Sequence, residues 1–244
     1  MSKRVSVVRQ PPADARPKNK LLASLPRAEF QRLRPHLRTR PIAVKHVGQS
    51  AHQPVRDIYF LNGGVASVTA VMHNGSMVEI ATVGDEGVVG ITALFGDGTI
   101  VGETMMQVPG TSAEVMSVER FRAELDRKGA LFDSVQRYSQ AFLSLMMQST
   151  ACIAFHPVHA RCCRWLLMAH DRVRNDQFHL SHEFLAMMLG ATRPTVTVVA
   201  GALQKAGLIK YVHGRITIVD RQGLETASCE CYPTIRKVFD RLEL

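Results

Sequence analysis

The 244-residue sequence lacks the features that would assign it to a membrane, to secretion or to catalysis. It has no uncharged apolar run of about 18 residues that could cross a bilayer, and its basic N-terminus has no apolar core of a secretory signal. It shows no glycine-rich phosphate loop, no metal-ligand spacing and no nucleophile motif in a helical or strand context. We therefore expect a soluble cytoplasmic protein that contacts no membrane and is not an enzyme.

Cysteine is also scarce, and its five residues are unevenly spaced. Cys162 and Cys163 are adjacent, Cys229 and Cys231 are one residue apart, and Cys152 stands alone. An odd number at these spacings fits neither a disulfide framework nor a zinc pattern, so we expect reduced thiols. The histidines between positions 156 and 182 suggest a metal as an alternative, but their spacing crosses a proline and at least one helix end. We therefore predict no metal site.

Positive charge is abundant and unevenly distributed. The net charge is +9, with +9 in residues 1–40, −4 in residues 41–156 and +4 in residues 157–244. A basic chain favours a polyanionic partner, because each lysine or arginine beside a phosphate releases condensed counterions. Composition thus makes nucleic acid a plausible partner. For residues 1–20 we expect a disordered, solvated tail, with added nonspecific DNA affinity as the alternative.

Residues 40–118 contain short β-rich runs separated by turn signals. Asn62-Gly63-Gly64, His73-Asn74-Gly75 and Gly96-Asp97-Gly98 place glycine where a positive φ is needed, and Asn-Gly is a strong hairpin signal. The predicted strands span residues 58–61, 65–72, 77–83 and 104–108. This pattern predicts an antiparallel sandwich or barrel, with one or two short helices over residues 21–37 packed on its side.

A long helix is predicted after the β-rich region. Between Leu131 and Cys152, residues of a heptad seam recur in alternating steps of four and three. The seam comprises Leu131, Val135, Tyr138, Phe142, Leu145, Ser149 and Cys152. We predict that it packs against the same helix of a second copy in a parallel dimer, and the alternative is packing on the chain's own β-domain. His156-Pro157 ends the helix, because proline cannot continue it.

The last third of the sequence predicts a winged helix-turn-helix. Ser181 can cap a short helix that ends at Gly190, and Thr192 can cap a second helix. Two helices joined by three residues have the spacing of this motif. The other predicted elements are an amphipathic helix over residues 158–174, an end of the second helix near residue 206, and a wing hairpin of residues 208–211 and 215–219.

The first turns of the second helix carry side chains suited to duplex DNA. Arg193 can make a bidentate pair with guanine O6 and N7 in the major groove, and Thr192 and Thr195 can hydrogen-bond phosphate. The methyl group of Thr197 can contact thymine. The predicted DNA-binding residues are Ser181, Thr192, Arg193, Thr195, Thr197 and Arg215. An ordinary helical hairpin that binds no nucleic acid is the alternative.

From about Leu21 onward, the sequence resembles the CRP/FNR family of transcription regulators. The resemblance rests on Asn62-Gly63-Gly64 and Gly84-Asp85 in the β-region, on RCCRWLL at residues 161–167, and on LGATRPTV at residues 189–196. It implies an α+β protein with an antiparallel β-roll of the double-stranded β-helix or jelly-roll type, a dimerisation helix and a C-terminal winged helix-turn-helix. Such a homodimer would read a pseudo-palindromic operator in duplex DNA, and RNA polymerase would be a further partner.

The resemblance and the length divide the chain into four segments. They are a tail (residues 1–20), a cyclic-nucleotide-binding-like β-roll (21–130), a dimerisation helix (131–156) and the winged helix-turn-helix (157–244). By resemblance, Arg193 would read a base and Thr195 would contact phosphate. Family members often carry a glutamate beside this arginine and a further arginine along the helix. Here those positions are Pro194 and Val198, so the family's usual operator is not expected.

The resemblance also implies an effector pocket in the β-roll. Its predicted residues are Gly84, Gly90, Ile91, Glu103 and Thr104. In the cyclic-nucleotide binders of the family, a glutamate meets the ribose hydroxyl and an arginine meets the cyclic phosphate. Ile91 offers no acceptor, and Glu103 would repel the phosphate. We therefore expect that cyclic AMP does not bind.

Haem and an iron–sulfur cluster are two further effectors of such proteins. Iron–sulfur members carry clustered cysteines near the N-terminus, whereas the first cysteine here is Cys152. His46, His52 and His73 could be considered for haem, but histidines in turns are usually solvated. We expect neither cofactor. The alternative is a regulator with the same DNA-binding mode that responds to a cyclic nucleotide, to redox state or to haem.

Overall fold

The N-terminal half of the protein is an antiparallel β-sandwich, as the sequence predicts. The structure is a computed structural model that describes residues 17–108, 110, 112–242 and 244. The strands of the sandwich are β1 (Arg38–Arg40), β2 (Val47–Gln49), β3 (Asp57–Leu61), β4 (Val65–Val71), β5 (Met77–Val83), β6 (Val88–Val89), β7 (Gly102–Val108) and β8 (Ala113–Ser117). They form two four-stranded sheets with the orders β1-β8-β3-β6 and β2-β7-β4-β5.

Glycine fixes the turns that the sequence marks. Gly75 has a φ of 82° in the hairpin between β4 and β5. Gly64 has the same φ before β4, and a Cβ atom there would lie 2.5 Å from the carbonyl oxygen of Val108. Only glycine fits this backbone approach. The predicted strands 58–61, 65–72, 77–83 and 104–108 correspond to β3, β4, β5 and β7, whereas β1, β2, β6 and β8 were not predicted.

Short helices cover one side of the sandwich. They are α1 (Lys20–Ala23), α2 (Arg27–Leu33) with a 3-10 turn (Arg34–His36), and α3 (Val118–Leu125). Of the predicted tail, residues 1–16 lie outside the described residues. Asn19 is buried: its amide donates to the carbonyl oxygens of Leu61 (3.1 Å) and Gly87 (2.9 Å), and its oxygen caps α1. The packed part of the chain therefore begins before Leu21.

The long helix α4 (Ala130–Phe155) ends at His156-Pro157, as predicted. All seven residues of the predicted heptad seam are buried within this single chain, so the seam does not face a second copy. Tyr138, for example, stacks on Phe142 and contacts Phe239 edge to face. The prediction of an intermolecular seam was therefore wrong, because an amphipathic helix that packs within its own chain has the same spacing of apolar residues.

The C-terminal half contains the predicted winged helix-turn-helix. Its elements are α5 (Val158–Val173), β9 (Gln177–His179), α6 (His182–Leu189), α7 (Arg193–Lys205), β10 (Ile209–Val212), β11 (Arg215–Ile218), α8 (Arg221–Ala227) and α9 (Cys231–Asp240). Strands β10 and β11 form the predicted wing hairpin, and β9 adds a third strand in the order β10-β11-β9. Helix α9 packs on α4, which brings the end of the chain back to the long helix.

The C-terminal half also packs directly on the β-sandwich, where α5 and α6 contact β4 and β5. The indole nitrogen of Trp165 donates to buried Glu79 at 2.8 Å. Arg172 pairs with Glu86 at 2.8 Å, and both side chains are almost fully buried. Arg174 pairs with Asp85 at 2.6 Å nearby. Polar contacts between buried groups therefore hold the helix-turn-helix region in one position on the sandwich.

Among the described residues, no single helix is long and apolar enough to cross a membrane. Helices α6 and α7 are long and apolar enough only when taken together, and they are bent by 106° at the turn between them.

Candidate nucleic-acid interface

The turn between α6 and α7 is built by local hydrogen bonds. Ser181 caps α6 by accepting from the amide of Phe184 at 3.2 Å. Gly190 has a φ of 55° after α6, and the amides of Gly190 and Ala191 donate to the carbonyl oxygens of Met187 (3.2 Å) and Ala186 (2.9 Å). This is a Schellman ending, which favours glycine at the left-handed position. The chain then turns by 106° into α7.

The N-terminus of α7 presents the predicted DNA-binding residues to solvent. Thr192 is the N-cap, and its hydroxyl accepts from the amide of Thr195 at 3.4 Å and lies 2.8 Å from the Thr195 hydroxyl. Arg193 is exposed, and its side chain makes no hydrogen bond or ion pair with the described residues. Thr192, Arg193, Thr195 and Thr197 therefore lie together in the first turns of one exposed helix end.

The opposite face of α7 holds the helix on the domain. Val196 and Leu203 are buried, Val199 is half-buried, and Ala200 adds to this face. Between the two ends of α7, the exposed side chains are small and uncharged, and Val198 among them is 72% exposed. Arg193 and Lys205 supply the positive charges of the helix, one at each end.

His182 is a residue of this surface that the sequence analysis missed. Its Nδ1 atom lies 3.0 Å from the Thr197 hydroxyl, and its ring stacks on Tyr211 at a centroid distance of 4.2 Å. Desolvation and then the charge of Arg193 lower the pKa of His182, so the neutral ring is favoured. The imidazole connects α6, α7 and the wing strand β10. In the sequence, the signal for this role was the position of His182 directly after the cap residue Ser181.

The wing lies on the same domain but on a different element from α7. His213 and Gly214 have φ values of 48° and 76° at the hairpin turn. Arg215 is exposed, and its Nε atom donates to His179 on β9 at 3.0 Å. Arg215 is therefore placed on the wing, whereas Ser181 lies at the start of α6.

The predicted effector residues are only partly brought together. Gly90, Ile91 and Thr104 line a cavity of about 200 Å³ inside the sandwich, together with Phe142 and Met146 of α4. Glu103 does not line it, and the Thr69 hydroxyl donates to its backbone oxygen. Gly84 lies instead at the interface between the two halves, where a Cβ atom would be 2.5 Å from both Arg172 and Glu86.

The cavity is apolar. Its lining is mainly valine and isoleucine, and none of its described lining residues is charged. The polar side chains on it are Gln49, Thr92 and Thr104. Gln49 already donates to Thr92 at 2.8 Å and to the Gly98 carbonyl at 3.0 Å. This lining offers a ligand apolar contact and few free hydrogen-bonding groups.

Comparisons with known proteins agree with this geometry. Residues 160–227 match the family model described as the Crp-like helix-turn-helix domain. No curated protein matches the sequence. A protein described as a transcriptional regulator of the crp/fnr family from Eubacterium rectale is similar in structure, with a TM-score of 0.65, 16% identity, and coverage of 86% of this chain and 98% of that chain.

Two further solved structures show the same fold. FixK2 from Bradyrhizobium japonicum has a TM-score of 0.60 and 16% identity, and the match covers 79% of this chain and 98% of FixK2. CLP from Xanthomonas campestris, described as a c-di-GMP responsive global regulator, has a TM-score of 0.58 and 20% identity, with 78% of this chain and 98% of CLP covered. At these identities the likeness concerns the fold.

Proposed function

We propose that this chain is a sequence-specific DNA-binding regulator of the CRP/FNR type and not an enzyme, since residues 160–227 match the Crp-like helix-turn-helix domain and the fold is similar to that of a crp/fnr-family regulator. The observation that carries the proposal is the N-terminus of α7, where Arg193 is exposed beside two threonine hydroxyls and has no partner within the described residues. The wing supplies Arg215 on the same domain.

In this proposal the N-terminus of α7 enters the major groove. Arg193 pairs with guanine O6 and N7, which distinguishes guanine from other bases by about 1 to 3 kcal/mol. The hydroxyls of Thr192 and Thr195, together with the helix N-terminus, contact phosphate. The Thr197 hydroxyl donates to the Arg193 carbonyl oxygen, so the methyl group of Thr197 is the part that can contact a thymine. Ser181 and Arg215 contact the backbone on either side.

The regulator acts as a homodimer through a different face of α4 from the predicted seam. Gln136, Gln140, Leu143 and Met147 recur in steps of four and three along the solvent side of α4. Leu143, Met147 and Phe155 are 56%, 74% and 84% exposed, which is unusual for large apolar side chains on one helix. Pairing these faces gives a two-fold dimer, whose recognition helices would read half-sites one helical turn, about 34 Å, apart.

The cavity supports an effector other than cyclic AMP. No lysine or arginine is among the described residues that line it, so the cyclic phosphate would be desolvated without a cation. Phe142 and Met146 of α4 line the cavity, so a bound ligand would contact the long helix directly. Such a ligand shifts the position of α4 only if it binds one arrangement of the helix more tightly than another. Calorimetric titration with cyclic AMP should give no binding heat, and measurable binding would contradict this assignment.

The DNA proposal is tested by selecting bound fragments from random-sequence duplexes with the wild type and with Arg193→Ala. We expect a two-fold symmetric motif that relaxes at one base pair per half-site in Arg193→Ala, a loss of discrimination of roughly 5- to 150-fold. The control is Lys205→Ala, which removes the other charge of α7. Lys205 lies at the opposite end of the helix from Arg193, so any loss of affinity should be equal for all sequences and the motif should not change.

Selection of no motif by the wild type and by Lys205→Ala would contradict the proposal. An unchanged motif with Arg193→Ala would leave DNA binding in place and remove the base-reading role from Arg193.

A further inference from the structure

Four side chains with metal-ligating atoms meet where the long helix ends. The ligand atoms of Cys152, His156, Cys229 and Cys231 all lie within 4.8 Å of one another. The Cys152 and Cys229 sulfurs are 3.5 Å apart, and the Cys231 sulfur is 3.5 Å from Nδ1 of His156. All five cysteines of the chain are free and buried, but only these three share a site with a histidine in the described residues.

The fold explains how distant residues meet there. Cys152 and His156 are one helical turn apart at the end of α4, so both side chains lie on one face. Cys229 and Cys231 flank Glu230 at the bend between α8 and α9. Packing of α9 on α4 brings the two pairs together. Each pair alone has a ligand spacing too short to identify a site, which is why the sequence analysis predicted none.

The surroundings match those of a metal-binding histidine. The Nε2 atom of His156, which points away from the sulfurs, lies 3.0 Å from the Glu230 carboxylate. Histidine ligands commonly use their second nitrogen in this way, which fixes the ring and raises its basicity. Gln148 donates to the Cys231 sulfur at 3.1 Å.

Two buried arginines supply the charge that such a site would need. Three thiolates and one divalent cation have a net charge of −1, which is costly to bury alone. Arg161 and Arg164 are both buried beside the cluster, and the Nε atom of each has no hydrogen-bond partner among the described residues. Their positive charges act on the thiols of Cys152 and Cys229. The negative charge of a metal–thiolate centre would thus balance part of the positive charge of these two buried arginines.

We propose that Cys152, His156, Cys229 and Cys231 bind one zinc ion as a closed structural site. Three thiolates and one imidazole are a known ligand set for tetrahedral zinc, and no position remains open for substrate. Zinc–sulfur bonds of about 2.3 Å separate tetrahedral sulfurs by roughly 3.8 Å, so the observed spacing needs little adjustment. An iron–sulfur cluster would need the ligand atoms farther apart, because they bind different iron atoms.

The site would join the C-terminal bend to the end of the long helix. His156 directly precedes Pro157, where α4 ends and the helix-turn-helix half begins. Zinc therefore fixes α9 on α4 at the point where the chain passes from one half to the other. Removal of the metal should loosen this connection and lower the thermal stability of the C-terminal half.

The first experiment measures metal in the full-length protein purified without chelator. We expect one zinc per chain by elemental analysis, and none in Cys231→Ser. The control is Cys162→Ser, which changes another buried cysteine that lies outside the cluster and should retain zinc. A chelator should lower the melting temperature of the wild type and of Cys162→Ser, and it should leave Cys231→Ser unchanged.

A second experiment keeps the test valid if Cys231→Ser fails to fold. Cobalt added to the apo protein should give thiolate-to-cobalt charge transfer and the visible bands of tetrahedral cobalt. His156→Cys should keep tetrahedral binding and strengthen the charge-transfer band, and Glu230→Gln should weaken metal affinity by about 10- to 100-fold. Absence of zinc and of cobalt bands, iron with labile sulfide, or a Cys152–Cys229 disulfide found by mass would each overturn the proposal.

Discussion

Glu79 is a buried acid at the contact between the two halves. One carboxylate oxygen accepts from Trp165, and the other accepts from Ser67. Desolvation raises the pKa of Glu79 to about 7, against the lowering effects of these hydrogen bonds and of Arg164. The folded protein therefore holds a proton at pH values where the unfolded chain has lost it.

The sign of the resulting pH dependence follows from this shift. The stability that protonated Glu79 contributes is fully present below about pH 4.5 and is lost as the pH rises through about 7. Glu79→Gln keeps an acceptor for Trp165 and cannot ionise. We expect it to be more stable than the wild type above pH 7, by on the order of 1 to 3 kcal/mol, with no such advantage at pH 5.

Urea unfolding followed by the fluorescence of Trp165, the chain's single tryptophan, measures this difference at several pH values. Parallel stability curves for the wild type and Glu79→Gln would show that Glu79 titrates normally. Glu103→Gln is the control, because Glu103 is a partly exposed acid of the same sheet, whereas the Trp165 indole donates to Glu79.

At the scale of single residues, the sequence was most informative where structure is local. Ser181, Gly190 and Thr192 were predicted as caps because each acts on a backbone group within a few residues, and all three do so in the structure. The cluster of Cys152 and Cys229 was missed, because only the packing of α9 on α4 brings these residues together.

At the scale of elements, helix α4 shows what periodicity can and cannot predict. The steps of four and three predicted a long amphipathic helix, and the ending at His156 was correct. Periodicity does not tell which partner covers the apolar face, so the buried seam was assigned to a dimer. Strands β1, β2 and β6 were missed because they have only two or three residues and no alternation.

The exposed face of α4 can be tested as a dimer interface with one substitution. Met147→Glu should shift the proposed homodimer to monomer, because it places two charges in the proposed interface. Loss of methionine burial in both copies costs about 3 kcal/mol or more, which raises the dimer dissociation constant by at least a hundredfold. Analytical ultracentrifugation of the full-length protein measures the constant.

Met72→Glu provides the matched control for Met147→Glu. Met72 is 53% exposed just after β4, at the hairpin, and is not on α4. The same substitution there should leave the dimer intact. Dimers that persist in Met147→Glu, or that dissociate equally in both variants, would exclude the α4 face as the interface.

At the scale of the whole molecule, the β-sandwich and the helix-turn-helix half are joined by a buried polar interface. The elements on each side were largely predictable, but their contact was not, because it pairs residues 86 to 89 positions apart in sequence. Arg172 also lies over the ring of Phe239, so the same side chain contacts α9. Burial of charged groups on both sides couples the stability of the two halves.

The coupling is tested by removing the Arg172–Glu86 pair. Arg172→Met leaves Glu86 buried without its cation, and we expect a loss of about 3 to 5 kcal/mol in the free energy of unfolding. The double variant Arg172→Met/Glu86→Leu should recover most of this loss, because no uncompensated charge remains. Arg236→Met is the control: its pair with Asp240 is exposed, and its change should stay within about 0.5 kcal/mol.

The same variants show whether the halves unfold together. In the wild type, Trp165 fluorescence reports the interface and circular dichroism reports the whole chain, and we expect coincident urea transitions because each half stabilises the other. In Arg172→Met the helix-turn-helix half can separate while the sandwich stays folded. The fluorescence transition should then occur at a lower urea concentration, and part of the dichroism signal should be lost only at a higher one. Coincident transitions in Arg172→Met with unchanged stability would mean that the ion pair does not couple the two halves.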